Sequence, residues 1–180
     1  NNADDLTIAT TDHTGITLRS ATNRNGSVFF SDGTSGADEY RGWIQYTHTS
    51  DYLTFGTNGN ERLRIKSTGN IGIGTVDPQT QLHINGGEPI IRLSKSNGAT
   101  NNKHWNIAAN TANLLRLQAI NDDGGGGGNL FDFYRNGGDV DELRGMNSGN
   151  YWFTINNANK KVGIGTTNPL SLLHVDGDLT

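Results

Sequence analysis

Six carboxylates, Asp122, Asp123, Asp132, Asp139, Asp141 and Glu142, crowd one stretch of the second half of the chain. Two acids facing each other about 5–10 Å apart can cleave a glycosidic bond. Nothing in the spacing brings any two together, and acids among glycines are ordinarily solvated. His83 and His174 sit at matching places in two near-identical strings, so copies meeting on an axis are candidate metal ligands. No second ligand type stands beside either, which favours a histidine that hydrogen-bonds nearby backbone. Asp122-Asp123, beside five glycines, lacks the spaced oxygens of a calcium loop, and no Lys-Ser or Lys-Thr follows to make a phosphate loop. The aromatics Trp43, Tyr46, Trp105, Tyr134 and Trp152, with Tyr52 and Tyr151, can stack on sugars, although most aromatics pack in interiors or between chains. The expectation is no catalytic residue, no metal and no cofactor, with Trp43, Tyr46, Trp105, Tyr134 and Trp152 as candidate glycan contacts.

Whatever positions these residues has little grease to work with. Only 32% of the 180 residues are hydrophobic, while glycine supplies 25. That is about twice the usual glycine share of ~7%. The apolar residues nevertheless recur in short alternating runs, which predicts order gained through association rather than disorder. A module below roughly 100 residues buries too little surface to be comfortable alone, and partner chains are one remedy. The net charge of −4 and the scattered basic residues exclude a polyanion as main partner, so no nucleic acid is expected. There is no cysteine, hence no disulfide or thiolate metal site. No apolar run reaches the length of a membrane span, and no membrane insertion is expected.

Strands are predicted at residues 6–9, 16–19, 28–30, 43–46, 52–55 and 63–65, and again at 90–93, 105–108, 114–118, 130–134 and 151–155, each followed by turn-forming residues. The fold class is therefore all-β, built of repetitive short-strand modules. The five-glycine run predicts a long exposed loop over residues 121–129.

Residues 71–86 read IGIGTVDPQTQLHING and residues 162–177 read VGIGTTNPLSLLHVDG. The repeated positions Gly72, Gly74, Pro78, Leu82, His83 and Gly86, with Gly163, Gly165, Pro169, Leu173, His174 and Gly177, are the expected structural motif. In each, one strand face carries Ile or Val and the other only hydrogen, which lets another backbone come close, as in a tightly packed shaft. Asp77-Pro78 and Asn168-Pro169 match an N-cap followed by proline, predicting about one helical turn at PQTQ and PLSL before the strand LHI or LHV. Each copy closes a module, 1–86 and 87–180. The halves also share a gapped correspondence: Phe55, Asn58-Gly59 and ERLR against Phe133, Asn136-Gly137 and DELR.

The strings GNIGIGT…P…LHING, KVGIGTTNP…LLHVDG and FGTNGNERLRI resemble bacteriophage tail-fibre and related virion appendage proteins over about half the chain. The resemblance implies an elongated homotrimeric fibre, intertwined or side by side, located in the virion after assembly in the host cytoplasm. It implies other tail or baseplate proteins and a host-surface glycan as partners, and host attachment or spacing of a receptor-binding tip as function. It also implies a carboxy-terminal self-cleaving chaperone domain, which this sequence lacks, so a mature product or a cut segment is expected. A tailspike-type polysaccharide depolymerase and a bacterial surface adhesin with the same repeats are the alternatives.

Overall fold

The computed structural model describes residues 8–97, 104–110, 113–122, 128–147 and 150–177. It is all-β, in two compact units, Asn1–Asn85 and Gly86–Thr180, each holding one open mixed sheet. Among the described residues no helix is long and apolar enough to cross a membrane.

In the first unit β1 (Asn25–Phe30), β2 (Gly42–Thr47), β3 (Tyr52–Thr57), β4 (Asn60–Ile65) and β5 (Ile71–Ile73) form an antiparallel meander in sequence order. β6 (Leu82–Ile84) then adds in parallel on the far side of β5. A short 3-10 turn, Gly36–Tyr40, precedes β2 and sets Tyr40 edge-on against Phe29. The β3–β4 turn is Asn58-Gly59, both at positive φ, as a two-residue hairpin of the right twist requires.

The second unit runs β7 (Ile90–Ser94), β8 (His104–Asn110), β9 (Leu114–Ile120), β10 (Asn129–Asn136), β11 (Asp139–Asn147), β12 (Asn150–Asn156), β13 (Lys161–Ile164) and β14 (Leu173–Val175). It too is a meander closed by one parallel pair, β13 with β14.

Four expectations are corrected. Residues 16–19 form no strand: the segment crosses over β1 instead of pairing with it, the Leu18 carbonyl oxygen lying 3.7 Å from where a Cβ on Gly26 would stand; of residues 6–9, 6 and 7 lie outside the described residues and 8 and 9 are not strand either. No helical turn follows either proline. The ERLR and DELR hairpins are not equivalent: β4 pairs directly with the glycine strand β5, whereas β12 stands between β11 and β13. Local likeness carries the turn but not the place in the ladder. Finally, the close approach at the glycine face is made by the chain's own loop, as described below. Most of the expected 121–129 loop lies outside the described residues.

Side-chain alternation divides each sheet sharply. In the first unit one row reads Ser27, Gln45, Thr54, Arg64, Gly72, His83 across all six strands. The adjoining rows on the other face read Val28, Ile44, Phe55, Leu63, Ile73, Ile84 and Gly26, Tyr46, Leu53, Ile65, Ile71, Leu82. In the second unit the row Ala108, Arg116, Asp132, Arg144, Thr154, Gly163, His174 backs onto Ala109, Leu115, Phe133, Leu143, Ile155, Val162, Leu173. One face is polar and the other apolar, in both.

Burial runs against that division. The buried hydrophobics are Ala108, Leu114, Ile120 and Met146, and the register sets all four on the polar side. Apart from Gly26, over which Leu18 and Ser20 lie, the apolar face stays open, with Phe30, Leu93, Trp105 and Trp152 exposed at 59%, 60%, 50% and 47%.

Candidate functional site

The repeated string folds into the same construction twice, a proline clasp. β5 and β6 run parallel, and the chain between them, residues 74–81, is shorter than the dozen or so residues such a crossover ordinarily takes. It manages this by lying flat on the polar face over Gly72. A Cβ on Gly72 would stand 2.5 Å from the Thr75 carbonyl oxygen and 3.4 Å from Pro78 Cδ. In the second copy a Cβ on Gly163 would stand 2.5 Å from the Thr166 carbonyl oxygen. Pro78 and Pro169 beneath the loops are fully buried. Gly74 and Gly165 turn the chain out of the strand at φ +72° and +75°, against the carbonyls of Asn85 and Asp176.

Each clasp is tied by backbone and side chain. Ile71 N–H donates to the Gln81 carbonyl and Asn85 N–H to that of Ile73, both at 2.9 Å; Val162 and Asp176 repeat the pair. His83 Nδ1 accepts the Gln79 N–H at 3.4 Å, and His174 Nδ1 accepts the Leu170 N–H at 3.3 Å. Accepting at Nδ1 places the imidazole proton on Nε2. Thr75 and Thr166 hydroxyls accept the N–H groups of Asp77 and Asn168. Here is why no helix starts at the proline: the N–H that would open it is held by the histidine, and the Asp77 carboxylate instead accepts from Lys66 at 2.9 Å and Gln79 at 2.6 Å. The Lys66 hydrogen bond holds the Asp77 carboxyl below its ordinary range. Leu82 and Leu173 point from the edge strands to the apolar side, and Gly86 and Gly177 follow the clasps.

The polar face of the second unit is a charge network. Arg116 makes a two-pronged bond to Asp132, 2.7 Å on both arms, and Asp132 is 0% exposed. That bond raises the Arg116 guanidinium above its ordinary value. Arg144 pairs with Glu142 and lies over the Tyr134 and Tyr151 rings at 4.5 and 5.2 Å. Burial pushes the Tyr134 hydroxyl up. Three atoms of the patch, Glu142 Oε1, Arg144 Nε and Thr154 Oγ1, are buried without a protein partner. The first unit has a smaller version, Arg64 bonded to Glu61 at 2.8 and 2.7 Å and stacked 4.0 Å over Tyr52.

The sequence-derived residues fall into place as follows. Asp132 and Glu142 are each matched with an arginine rather than with one another; Asp122 lies 3.6 Å from His104, Asp139 begins β11, and Asp123 lies outside the described residues. Among the described residues no three His, Asp or Glu side chains gather as metal ligands. Trp43 and Tyr134 stand on the polar face, Trp43 donating to the Thr54 hydroxyl at 3.2 Å and stacking over Gly56. Tyr46, Trp105 and Trp152 stand on the apolar face, where Trp152 lies over Gly145 between Phe131 and Phe153. Composition hid the Arg116–Asp132 pair, though Arg116 and Asp132 both break otherwise apolar runs, which is the one signal the sequence offers.

A scan against protein-family models matches none, and no curated protein matches the chain significantly.

Proposed function

We propose that this chain is a non-enzymatic segment of a homotrimeric bacteriophage tail fibre, carried on the virion, that either touches the host surface or spaces a tip that does. One observation carries the reading: a single construction, an open sheet ended by a proline clasp, occurs twice in tandem with matching buried prolines and histidine ties. Serial repetition of one supersecondary unit is how extended proteins are built, each unit leaving a hydrophobic face for a neighbour to cover. The tail-fibre resemblance rests on the same strings, and it supplies the threefold symmetry and the virion setting. Three of the six candidate acids, Asp122, Asp132 and Glu142, are engaged by histidine or arginine, which supports a structural role over sugar cleavage.

Electron microscopy of the purified chain tests the reading. Rods of uniform width with threefold averages along the axis are expected. Compact single particles without symmetry, or steady release of reducing ends from host polysaccharide, overturn it.

A further inference from the structure

We infer that the apolar face of each sheet is the surface through which copies of this chain join, and that the polar face is the one left in solvent. The inference deepens the fibre reading and rests on it only for the number of copies.

The face in question carries little charge. Its rows across the strands hold Val, Ile, Leu, Phe, Trp, Tyr, Ala and Gly; Tyr46 donates to the Asp51 carboxylate at one end, and Arg135, two residues on from Phe133, reaches this side at the β10–β11 turn, where it donates to the Gly137 carbonyl, while Arg64, Arg116, Asp132, Glu142 and Arg144 stand on the other side. Two like-charged chains can therefore meet there with few opposing charges at close range. In the second unit Ile91, Leu93, Trp105, Ile107, Leu115, Leu130, Trp152, Ile155, Ile164 and Leu173 are each 39% to 61% exposed. Taking each as about half of a ~200 Å² side chain, this one sheet shows on the order of 1,000 Å² of apolar surface, above the ~300–600 Å² patch of an ordinary monomer. It matches the ~800 Å² that each partner contributes to a stable interface. The first unit offers Val28, Phe30, Ile44, Tyr46, Phe55, Ile73 and Leu82 at 37% to 59% exposure, on the order of 700 Å² more by the same measure.

The occupant is a second copy because the chain needs its cover in order to fold. With four buried hydrophobics among the described residues, all on the polar side, neither sheet has an apolar interior of its own. A sheet must bury its hydrophobic face against another layer, and an obligate homo-oligomer supplies that layer in fixed proportion to the chain itself. The polar face cannot serve instead, because the clasp loops and the arginine networks already occupy it.

The consequence reaches the aromatic residues. Tyr46, Trp105 and Trp152 become part of the joint between copies, and only Trp43 and Tyr134 of the five candidate glycan contacts stay on the outward face.

The chain has no cysteine, so single replacements report on one site each. In the full chain, Ile44→Cys and Ile107→Cys are to be labelled with a maleimide under native conditions and again in urea, with Ser94→Cys, exposed on the polar side, as reference. Sedimentation of each variant is run beside the labelling. The expected result is an associated chain in which Ile44→Cys and Ile107→Cys react roughly tenfold or more slowly than Ser94→Cys, the difference vanishing in urea. Equal native rates in a chain that still sediments as an oligomer overturn the face assignment and leave the fibre reading standing. Equal rates in a folded monomer overturn both. If a cysteine variant fails to associate, acrylamide quenching of single-tryptophan chains retaining Trp105 or Trp43 decides. Shielding of Trp105 below Trp43 is expected, and the reverse order contradicts the inference.

Discussion

Gly72→Ala and Gly163→Ala place one methyl group where the clasp loop crosses its own strand. Neither glycine has a positive φ, so backbone strain plays no part and the effect is packing alone. The new Cβ would lie 2.5 Å from the Thr75 or Thr166 carbonyl oxygen and 3.1 Å from the threonine Cγ2. Ordinary carbon–oxygen contact is nearer ~3.3 Å, so the loop must rise by roughly 0.8 Å. Overpacking of this kind costs about 1–3 kcal/mol. Lifting the loop also stretches the histidine bond to the residue after the proline, already 3.4 Å and 3.3 Å long, at about 1 kcal/mol. Each variant is therefore expected to lose about 2–4 kcal/mol, with the double variant roughly additive because the two clasps share no residues. Gly87→Ala, with no atom within 4 Å and no positive φ, is the control and should fall within about 0.5 kcal/mol of wild type. Urea unfolding at one fixed protomer concentration measures all four, and hydrogen exchange at the Gln79 and Leu170 amides locates the change. A Gly72→Ala chain as stable as the control, with its Gln79 amide still protected, refutes the claim that the loop is pressed onto the strand.

Asp132→Asn strips the charge from a fully buried carboxylate that Arg116 grips at two points, and should cost about 2–4 kcal/mol in the same assay; a change under about 0.5 kcal/mol removes the network from the account. Thr154→Val exchanges a buried, unpartnered hydroxyl for a methyl of similar shape and should be neutral or stabilising by up to about 1 kcal/mol, whereas a clear loss shows that the hydroxyl has a partner. Lys66 lowers the Asp77 carboxyl, so its contribution exists above the ordinary carboxylate range and disappears as pH falls through the lowered value. Wild type should accordingly unfold slightly later than Asp77→Asn at neutral pH and together with it in strong acid, and the opposite order contradicts the pairing. The effect stays small because both groups face solvent and Asn168 holds the same place uncharged in the second clasp.

Much of the strand content was legible because alternation is a local property. Residues 105–108 and 151–155 announce themselves, and 114–118 falls within β9 (Leu114–Ile120). Residues 16–19 alternate equally well and form no strand, since pairing depends on what lies alongside. The helical reading of the prolines had the right residues and the wrong acceptor: His83, four positions on from Gln79, takes the N–H that an N-cap would have claimed. Sidedness was half legible. Trp105 alternates with Ile107 and Trp43 with Gln45, but irregular register after Tyr134 and at Met146 breaks the count, and Trp152 and Phe153 come to stand on one side together. The Arg116–Asp132 bond depends on the pairing of β9 with β10 across residues 121–128, which no spacing rule encodes.

The whole account depends on the naked apolar face requiring sister chains. Sedimentation equilibrium of the intact chain across a wide dilution series measures that directly. A single species of three times the chain mass, which loses its β-sheet circular dichroism wherever dilution or urea separates the copies, is the predicted result. A folded, cooperatively unfolding monomer at every concentration contradicts it.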